Sequence, residues 1–461
     1  AVLAAFRQAD TTGVAAWRET VSDAPLVATL PAPGRVVAES TLTDLGATIW
    51  RLSNGVRVLL KPTTFKADEV MFRAFSPGGT SLASDADYSS AMLATTVVER
   101  GGLAEFSAIE LGKKLTGKQV RANTFIDGVS EGLVGGGSSK DLETMFQLAY
   151  LRFTAPRQDS AAFAAFKAQV TPFFANRANS PEAVFSDTVL VTMAGGHPRA
   201  RPIDRSLFDS VSLATAFAFY RDRFADASDF TFVFVGSFTL DQMRPLVERW
   251  LASLPSGGRV ERGRDVGIRA PEGVVEKTVR KGSEPKASSL VIFHGTARFA
   301  PETRYALRAL SEYLEMRLLE NLREALGGTY SVGVSGQVTR LPRPEYSVTI
   351  QFGSAPDRAD ALFATVRAVI DSVQAGAIDE RDVQKIREQQ QRALEVNLQE
   401  NGYWLANLAA RLENEEEPRG LLAYGRFIQG LTAAQLQEAA RAYLDPRRYG
   451  RFVLLPASTT P

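Results

Sequence analysis

The sequence predicts an α+β protein of two similar lobes, each a mostly antiparallel sheet with helices packed on one face. Three features predict it. A tight hairpin opens the patterned text, blocks of helical composition separate the later strands, and the order of elements in the first half returns in the second.

Residues 1–44 mix a short amphipathic stretch with the Pro- and Ala-rich Leu30-Pro31-Ala32-Pro33-Gly34, and are expected to be a lead-in segment. In the hairpin, Thr48–Leu52 and Val56–Leu60 alternate around Ser53-Asn54-Gly55, and Asn-Gly is a strong turn signal. Val70–Phe75 reads as a strand ended by Ser76-Pro77-Gly78-Gly79, and Tyr88–Arg100 as one helix stopped by Gly101-Gly102. The run Gly132–Lys140 lacks the G-K-[ST] ending of a phosphate loop and is expected to be a loop before a helix at about Asp141–Phe153. A strand at Phe230–Val235 and a helix at Asp241–Leu254 close the half. Thr239 and Gln242 have capping-box spacing at that helix's start.

The first lobe is thus expected at 45–255. Residues 256–271, polar, glycine-rich and without periodicity, are expected to be a linker to a second lobe at 272–457. A shift of 220 places Val70-Met71-Phe72 on Leu290-Val291-Ile292 and Phe232-Val233 on Phe452-Val453. A shift of 217 places Met145-Phe146 on Leu362-Phe363. Offsets that agree so far apart suggest duplication of a whole lobe.

Composition removes many chemistries. Lys plus Arg (53) nearly cancel Asp plus Glu (52), so no global basic field exists for nucleic acid. The longest charge-free apolar run, Phe230–Leu240, is about half the ~20 residues a membrane-spanning helix needs. No cysteine is present, which excludes disulfides, thiolate metal sites and cysteine nucleophiles. The two histidines, His197 and His294, are too far apart for either helical zinc motif, in which two imidazoles one turn apart share an ion. His197 is expected in a loop, and His294 as a hydrogen-bonded structural side chain. The chain begins at Ala1 without an uninterrupted apolar leader, which suggests a leader removed or a piece of a longer polypeptide.

The most informative stretch is 304–337. Leu307, Leu310, Leu314, Leu318 and Leu322 recur every three or four residues and form one apolar helix face. Arg323 falls in the last turn, Gly327-Gly328 ends the helix, and an alternating strand follows. Leu322-Arg323-Glu324-Ala325-Leu326-Gly327-Gly328-Thr329-Tyr330-Ser331-Val332 resembles the L-R-E-x-x-G-x-x-Y-S-V element of pitrilysin/insulinase-type zinc metallopeptidases, the inverzincins. The hairpin Leu52–Val58 and the segment Val235-Gly236-Ser237-Phe238-Thr239 resemble that family too, so the likeness spans about 48–455.

The resemblance implies one half of a clamshell whose two halves close around a peptide. One half of such enzymes carries H-x-x-E-H. The other often lacks it and supplies an Arg/Tyr pair. Counted back from Gly101, the motif positions read Met92-Leu93-Ala94-Thr95-Thr96, so Met92, Thr95 and Thr96 stand where ligands and base would be. The region of the downstream Glu ligand, Ala168–Phe174, holds no carboxylate. By resemblance, this is therefore a non-catalytic half that binds no metal or other cofactor itself. Zinc is expected in an H-x-x-E-H-bearing partner half, from the same precursor or a separate subunit.

The same likeness makes Arg323 and Tyr330 the expected substrate-binding and transition-state-supporting pair. It further implies a peptide substrate and a periplasmic or otherwise exported location, as in the second half of long bacterial periplasmic zinc proteases. An alternative is a non-proteolytic peptide-binding or scaffold protein of the same shape. An independent hydrolase would need a metal or a tuned base. Without the resemblance, Arg323 is explained by the helix dipole and Tyr330 by strand propensity.

Overall fold

A computed structural model describes residues 22–326 and 331–457. The first lobe begins with strands β1 (Val36–Leu42), β2 (Ala47–Leu52), β3 (Arg57–Pro62) and β4 (Val70–Pro77). Helices α1 (Tyr88–Met92), α2 (Ala94–Gly101) and α3 (Ala108–Lys114) lead to β5 (Val120–Ile126) and β6 (Ser130–Gly137). Next come α4 (Leu142–Thr154), α5 (Ser160–Arg177), α6 (Pro181–Met193), α7 (Arg205–Asp209) and α8 (Leu213–Arg223), then β7 (Thr231–Gly236) and α9 (Leu240–Leu246).

The second lobe starts with β8 (Val274–Arg280), β9 (Ala287–Thr296), α10 (Pro301–Leu326), β10 (Val332–Thr339) and β11 (Glu345–Ser354). It continues through α11 (Ala359–Ala375), α12 (Glu380–Asn397), α13 (Asn401–Glu413), α14 (Tyr424–Gln429) and α15 (Ala433–Tyr443) to β12 (Tyr449–Leu455).

Strand order is β1-β2-β3-β7-β4-β6-β5 in the first sheet and β10-β11-β9-β12-β8 in the second. Reversed, the second sheet matches the first strand for strand from β3 to β5. In each, one pair is parallel (β3 with β7, β8 with β12) and the others are antiparallel. The two lobes are therefore similar, as the repeating text implies.

The shift of 220 between β4 and β9 is corrected. It would lay core-facing Val70 on half-buried Leu290, and a wrong register of odd length turns every side chain to the other face. A shift of 217 carries Val70, Phe72 and Ala74 to Ala287, Ser289 and Val291, all buried. The paired helices do obey 220: Ser160–Arg177 maps onto Glu380–Asn397, and Pro181–Met193 onto Asn401–Glu413.

The glycine run is also corrected, because Ser130–Gly137 is an interior strand between β4 and β5. Here glycine serves close approach. A Cβ on Gly132 would sit 1.9 Å from the Ala74 carbonyl oxygen, and one on Gly137 would sit 2.0 Å from that of Gln119. The helix expected over Tyr88–Arg100 breaks at Leu93 into α1 and α2. The helix expected over Asp241–Leu254 continues past α9 as a π-helical turn, Val247–Leu251, just after Pro245, which has no N–H to donate. Its capping box is formed: Gln242 N–H donates to Thr239 Oγ1 (3.2 Å) and Thr239 N–H to Gln242 Oε1 (3.0 Å).

The first core packs Trp50, Phe72, Phe146, Phe232, Phe234 and Trp250 behind one sheet face, with Phe72 and Phe146 stacked on Phe234 at 5.4 and 5.2 Å. The five leucines of α10 are all buried in the second core.

The expectation of helices on one face holds only within each lobe. The opposite face of the first sheet (Leu59, Phe75, Val233, Val235) is covered by α13 of the second lobe through Trp404, Leu405, Leu408 and Leu412. Conversely, α6 lies against β8 and β12. Lys281 Nζ donates to the Ala178 carbonyl (2.5 Å), and Met193 crowds Gly450. Each lobe thus lends one helix to the other.

Residues 256–271 form neither helix nor strand, yet they are strapped to the first lobe. The Asp226 carboxylate accepts from the Gly257 and Arg259 amides (2.8 and 3.0 Å), and Arg264 N–H donates to Ser81 Oγ (2.8 Å).

Candidate functional site

The residues counted as motif positions from the sequence lie on α1 and α2. Ala91, Ala94, Val97 and Val98 face the core, which leaves Met92, Thr95 and Thr96 half-buried on the remaining face. A thioether and two neutral hydroxyls are poor zinc donors beside imidazole or carboxylate. The one carboxylate on α2, Glu99, is already engaged, accepting from the Thr124 amide (3.0 Å) and hydroxyl (3.3 Å). Helix α5, which packs on α2, presents Ala168, Gln169 and Phe173 to solvent, and Thr171 bonds back to the Lys167 carbonyl. Among the described residues no group of three His, Cys, Asp or Glu can hold a metal ion.

The histidines are accounted for by packing. Nε2 of His197 lies 3.0 Å from the Val266 carbonyl, and its Nδ1 accepts from the Arg199 amide (3.2 Å), so this loop histidine pins the strap. His294 corrects the expectation of a hydrogen-bonded side chain, since its Nε2 is buried without a partner among the described residues. Burial lowers its pKa, with Arg448 adding to the shift, and that favours the neutral ring.

Arg323 lies near the end of α10, and Tyr330 lies outside the described residues. Strand β10 runs back beside α10 and forms one edge of the second sheet. The approach is close: a Cβ on Gly336 would meet Ser311 Oγ at 2.6 Å and the Leu307 carbonyl at 3.0 Å. The end of α10 and the start of β10 therefore share one end of this unit, and Arg323 is placed there by its backbone.

One buried ionisable cluster had no sequence signal. Glu131, fully buried on β6, accepts from the Gly79 amide at 2.5 Å, while its other oxygen has no hydrogen-bond partner among the described residues. Burial pushes its carboxyl up to about 8, against the downward pull of the Gly79 amide and of Arg223, 3.7 Å away. Arg223 in turn donates to Glu261 of the strap (2.7 Å). This cluster joins β6, α8, the Gly78-Gly79 turn and the strap, and its contacts are structural. Gly78 and Gly79 have φ of 148° and 63°, values that suit glycine.

Comparison with known proteins agrees with this geometry. Residues 210–390 match the family described as the peptidase M16 inactive domain. A probable zinc protease PqqL of Haemophilus influenzae is 24% identical over 415 residues, covering 88% of this chain and 43% of the relative. The chain thus spans less than half the length of that relative. The crystal structure of the periplasmic protease PqqL from Escherichia coli superposes with a TM-score of 0.82 at 22% identity, covering 99% of this chain and 50% of that one. The peptidase M16 inactive domain from Pseudomonas fluorescens superposes at 0.73 with 16% identity, covering 90% and 98%. The chain thus matches the peptidase M16 inactive domain over residues 210–390 and is homologous, over most of its own length, to about half of the PqqL-type zinc proteases.

Proposed function

We propose that this chain pairs with an H-x-x-E-H-bearing half to enclose and anchor peptide substrates of a zinc-dependent endopeptidase. The observation that carries the reading is a whole-length match to half of such a protease in a chain whose motif positions are Met92, Thr95 and Thr96. In this reading the lobes run 45–255 and 272–457 with 256–271 between them, 1–44 leads in, and zinc is held by the partner half. The periplasmic location of a homologue supports an exported setting.

Arg323 and Tyr330 take the role of substrate anchors. A guanidinium and a phenol hold a peptide carbonyl or carboxylate and support the charge that develops in a tetrahedral intermediate. The test is reconstitution with the catalytic half and measurement of peptide turnover. Tyr330→Phe removes one hydroxyl, so melting should hardly change while turnover falls, by up to about a hundredfold if a preorganised donor is lost. Arg323→Lys should rescue Arg323→Ala only in part, because an ammonium lacks the planar fork. A reconstituted pair that keeps full turnover with both positions changed would remove them from the site. A pair that never hydrolyses peptide would favour the scaffold reading.

A further inference from the structure

A cavity of about 500 Å³ opens in the second lobe between the first turns of α10, the outer face of α13 and α14. Helix α13 has two faces. Trp404, Leu405, Leu408 and Leu412 cover the first sheet, while Tyr403, Asn407, Ala410 and Asn414 line the cavity. The cavity borders the start of α10, so Arg304 lies 19 positions, or about 28 Å of helix, from Arg323. This is a separate site, complete without pairing to a catalytic half.

Three guanidinium groups converge there: Arg304, Arg308 and Arg411. Two carboxylates oppose them. Glu416 is chelated by Arg304 at 2.8 and 2.9 Å, and Glu312 accepts from Arg308 at 2.9 Å. Arg411 is left over. Its side chain is 13% exposed, it lies 3.7 Å from the occupied Glu416 carboxylate, and its hydrogen bond to the Glu417 carbonyl is long, at 3.5 Å. Burial lowers its pKa and Arg304 adds to that shift, with Glu416 opposing. A guanidinium has five donors, and Arg411 commits few of them to the protein, so the others face the cavity.

The walls are aromatic. Phe299, Tyr403, Tyr424 and Phe427 line the space, Arg304 sits over Phe299 (4.3 Å), and Phe427 stacks on Tyr305 (5.6 Å). The Tyr424 hydroxyl is buried at this wall without an acceptor.

We propose that this cavity binds a ligand in which one carboxylate is joined to an aromatic body, the carboxylate pairing with Arg411 and the ring lying between Tyr403 and Phe427. Three guanidiniums against two carboxylates leave one net positive charge, which favours a carboxylate over a phosphate dianion. The volume suits a single aromatic residue or a dipeptide. The same chemistry is presented by the C-terminal residue of a peptide and by a free arylalkanoic acid.

Titration calorimetry on the full chain distinguishes the two, with 3-phenylpropionate, Ala-Phe and Ala-Phe-amide as probes. Binding of Ala-Phe but not its amide supports a peptide C-terminus, and binding of 3-phenylpropionate alone supports a free acid. Arg411→Ala should weaken whichever binds by roughly tenfold to a hundredfold, the range of a hydrogen bond to a charged group. Ala410 is exposed on α13, so Ala410→Phe should fill the cavity and abolish binding without altering the melt. No binding of any probe at millimolar concentration overturns the proposal. So does binding that survives Ala410→Phe, which would place the ligand elsewhere.

Discussion

Replacing Trp404 by alanine should destabilise the chain more than any surface change, because this side chain joins the lobes. Trp404 is 7% exposed, its indole N–H donates to the Leu398 carbonyl at 2.9 Å, and Lys61 Nζ sits 3.9 Å above its ring. Truncating a buried tryptophan costs about 3–5 kcal/mol. The lost cation–π contact adds ~1–2 kcal/mol in a desolvated setting, partly offset as water reaches Lys61 through the vacated space. Among the described residues that ammonium is otherwise held by the Leu45 carbonyl (2.6 Å), and burial lowers its pKa.

A total near 4 kcal/mol follows, and urea unfolding followed by circular dichroism measures it. Loss of coupling should also broaden the transition, since two lobes then unfold less as one unit. Trp404→Phe keeps a ring under Lys61 and should cost about half as much. A double-mutant cycle with Lys61→Met should give a coupling of about 1 kcal/mol or more. A loss below ~1 kcal/mol in Trp404→Ala, or strict additivity in the cycle, would refute the role assigned to this contact.

Other outcomes are equally specific. The native Glu131 carboxyl holds its proton up to about 8, whereas the unfolded one loses it near 4.5. Between these values the native state binds more protons, so stability falls as pH rises, by at most about 1.4 kcal/mol per unit. Glu131→Gln should flatten melting temperature against pH from 5 to 8, and an unchanged slope would exclude this carboxyl as the source. Thr239→Ala removes the oxygen that caps α9 and should cost about 1 kcal/mol in chemical denaturation, with Thr239→Ser restoring most of it.

Much of the fold was legible because some segments speak through one period only. The α10 leucines keep helical spacing and are all buried, and Asn54-Gly55 turns the hairpin between β2 and β3 as its text implies. Register was not legible. β4 is apolar on both faces, since one packs on the first core and the other on α13, so its text does not say which residue matches which in β9. The glycines of β6 resembled a loop for a related reason: what excludes a side chain there is the backbone of neighbouring strands, which lies far away in sequence.

At the site, the reading of Met92, Thr95 and Thr96 as former motif positions rests on residue type at a counted distance from Gly101 and needs no tertiary information. The arginine-lined cavity was missed although it left a trace. Arg304 and Arg308 stand in the first turns of α10, where the helix dipole disfavours cations. Cations placed against that field are explained by partners elsewhere, here Glu416 and Glu312.

The exchange of one helix in each direction bears on descent. A single ancestral lobe of this design would carry a bare sheet face and a projecting helical arm, and the natural cover for that face is the arm of a second copy, closed around a two-fold axis. Fusing two copies into one chain turns a concentration-dependent dimer into an internal contact that dilution cannot break. The copies are then free to drift apart. Here they have: α13 buries Trp404, Leu408 and Leu412, whereas its counterpart α6 buries no residue fully, so one handshake has tightened while the other has relaxed.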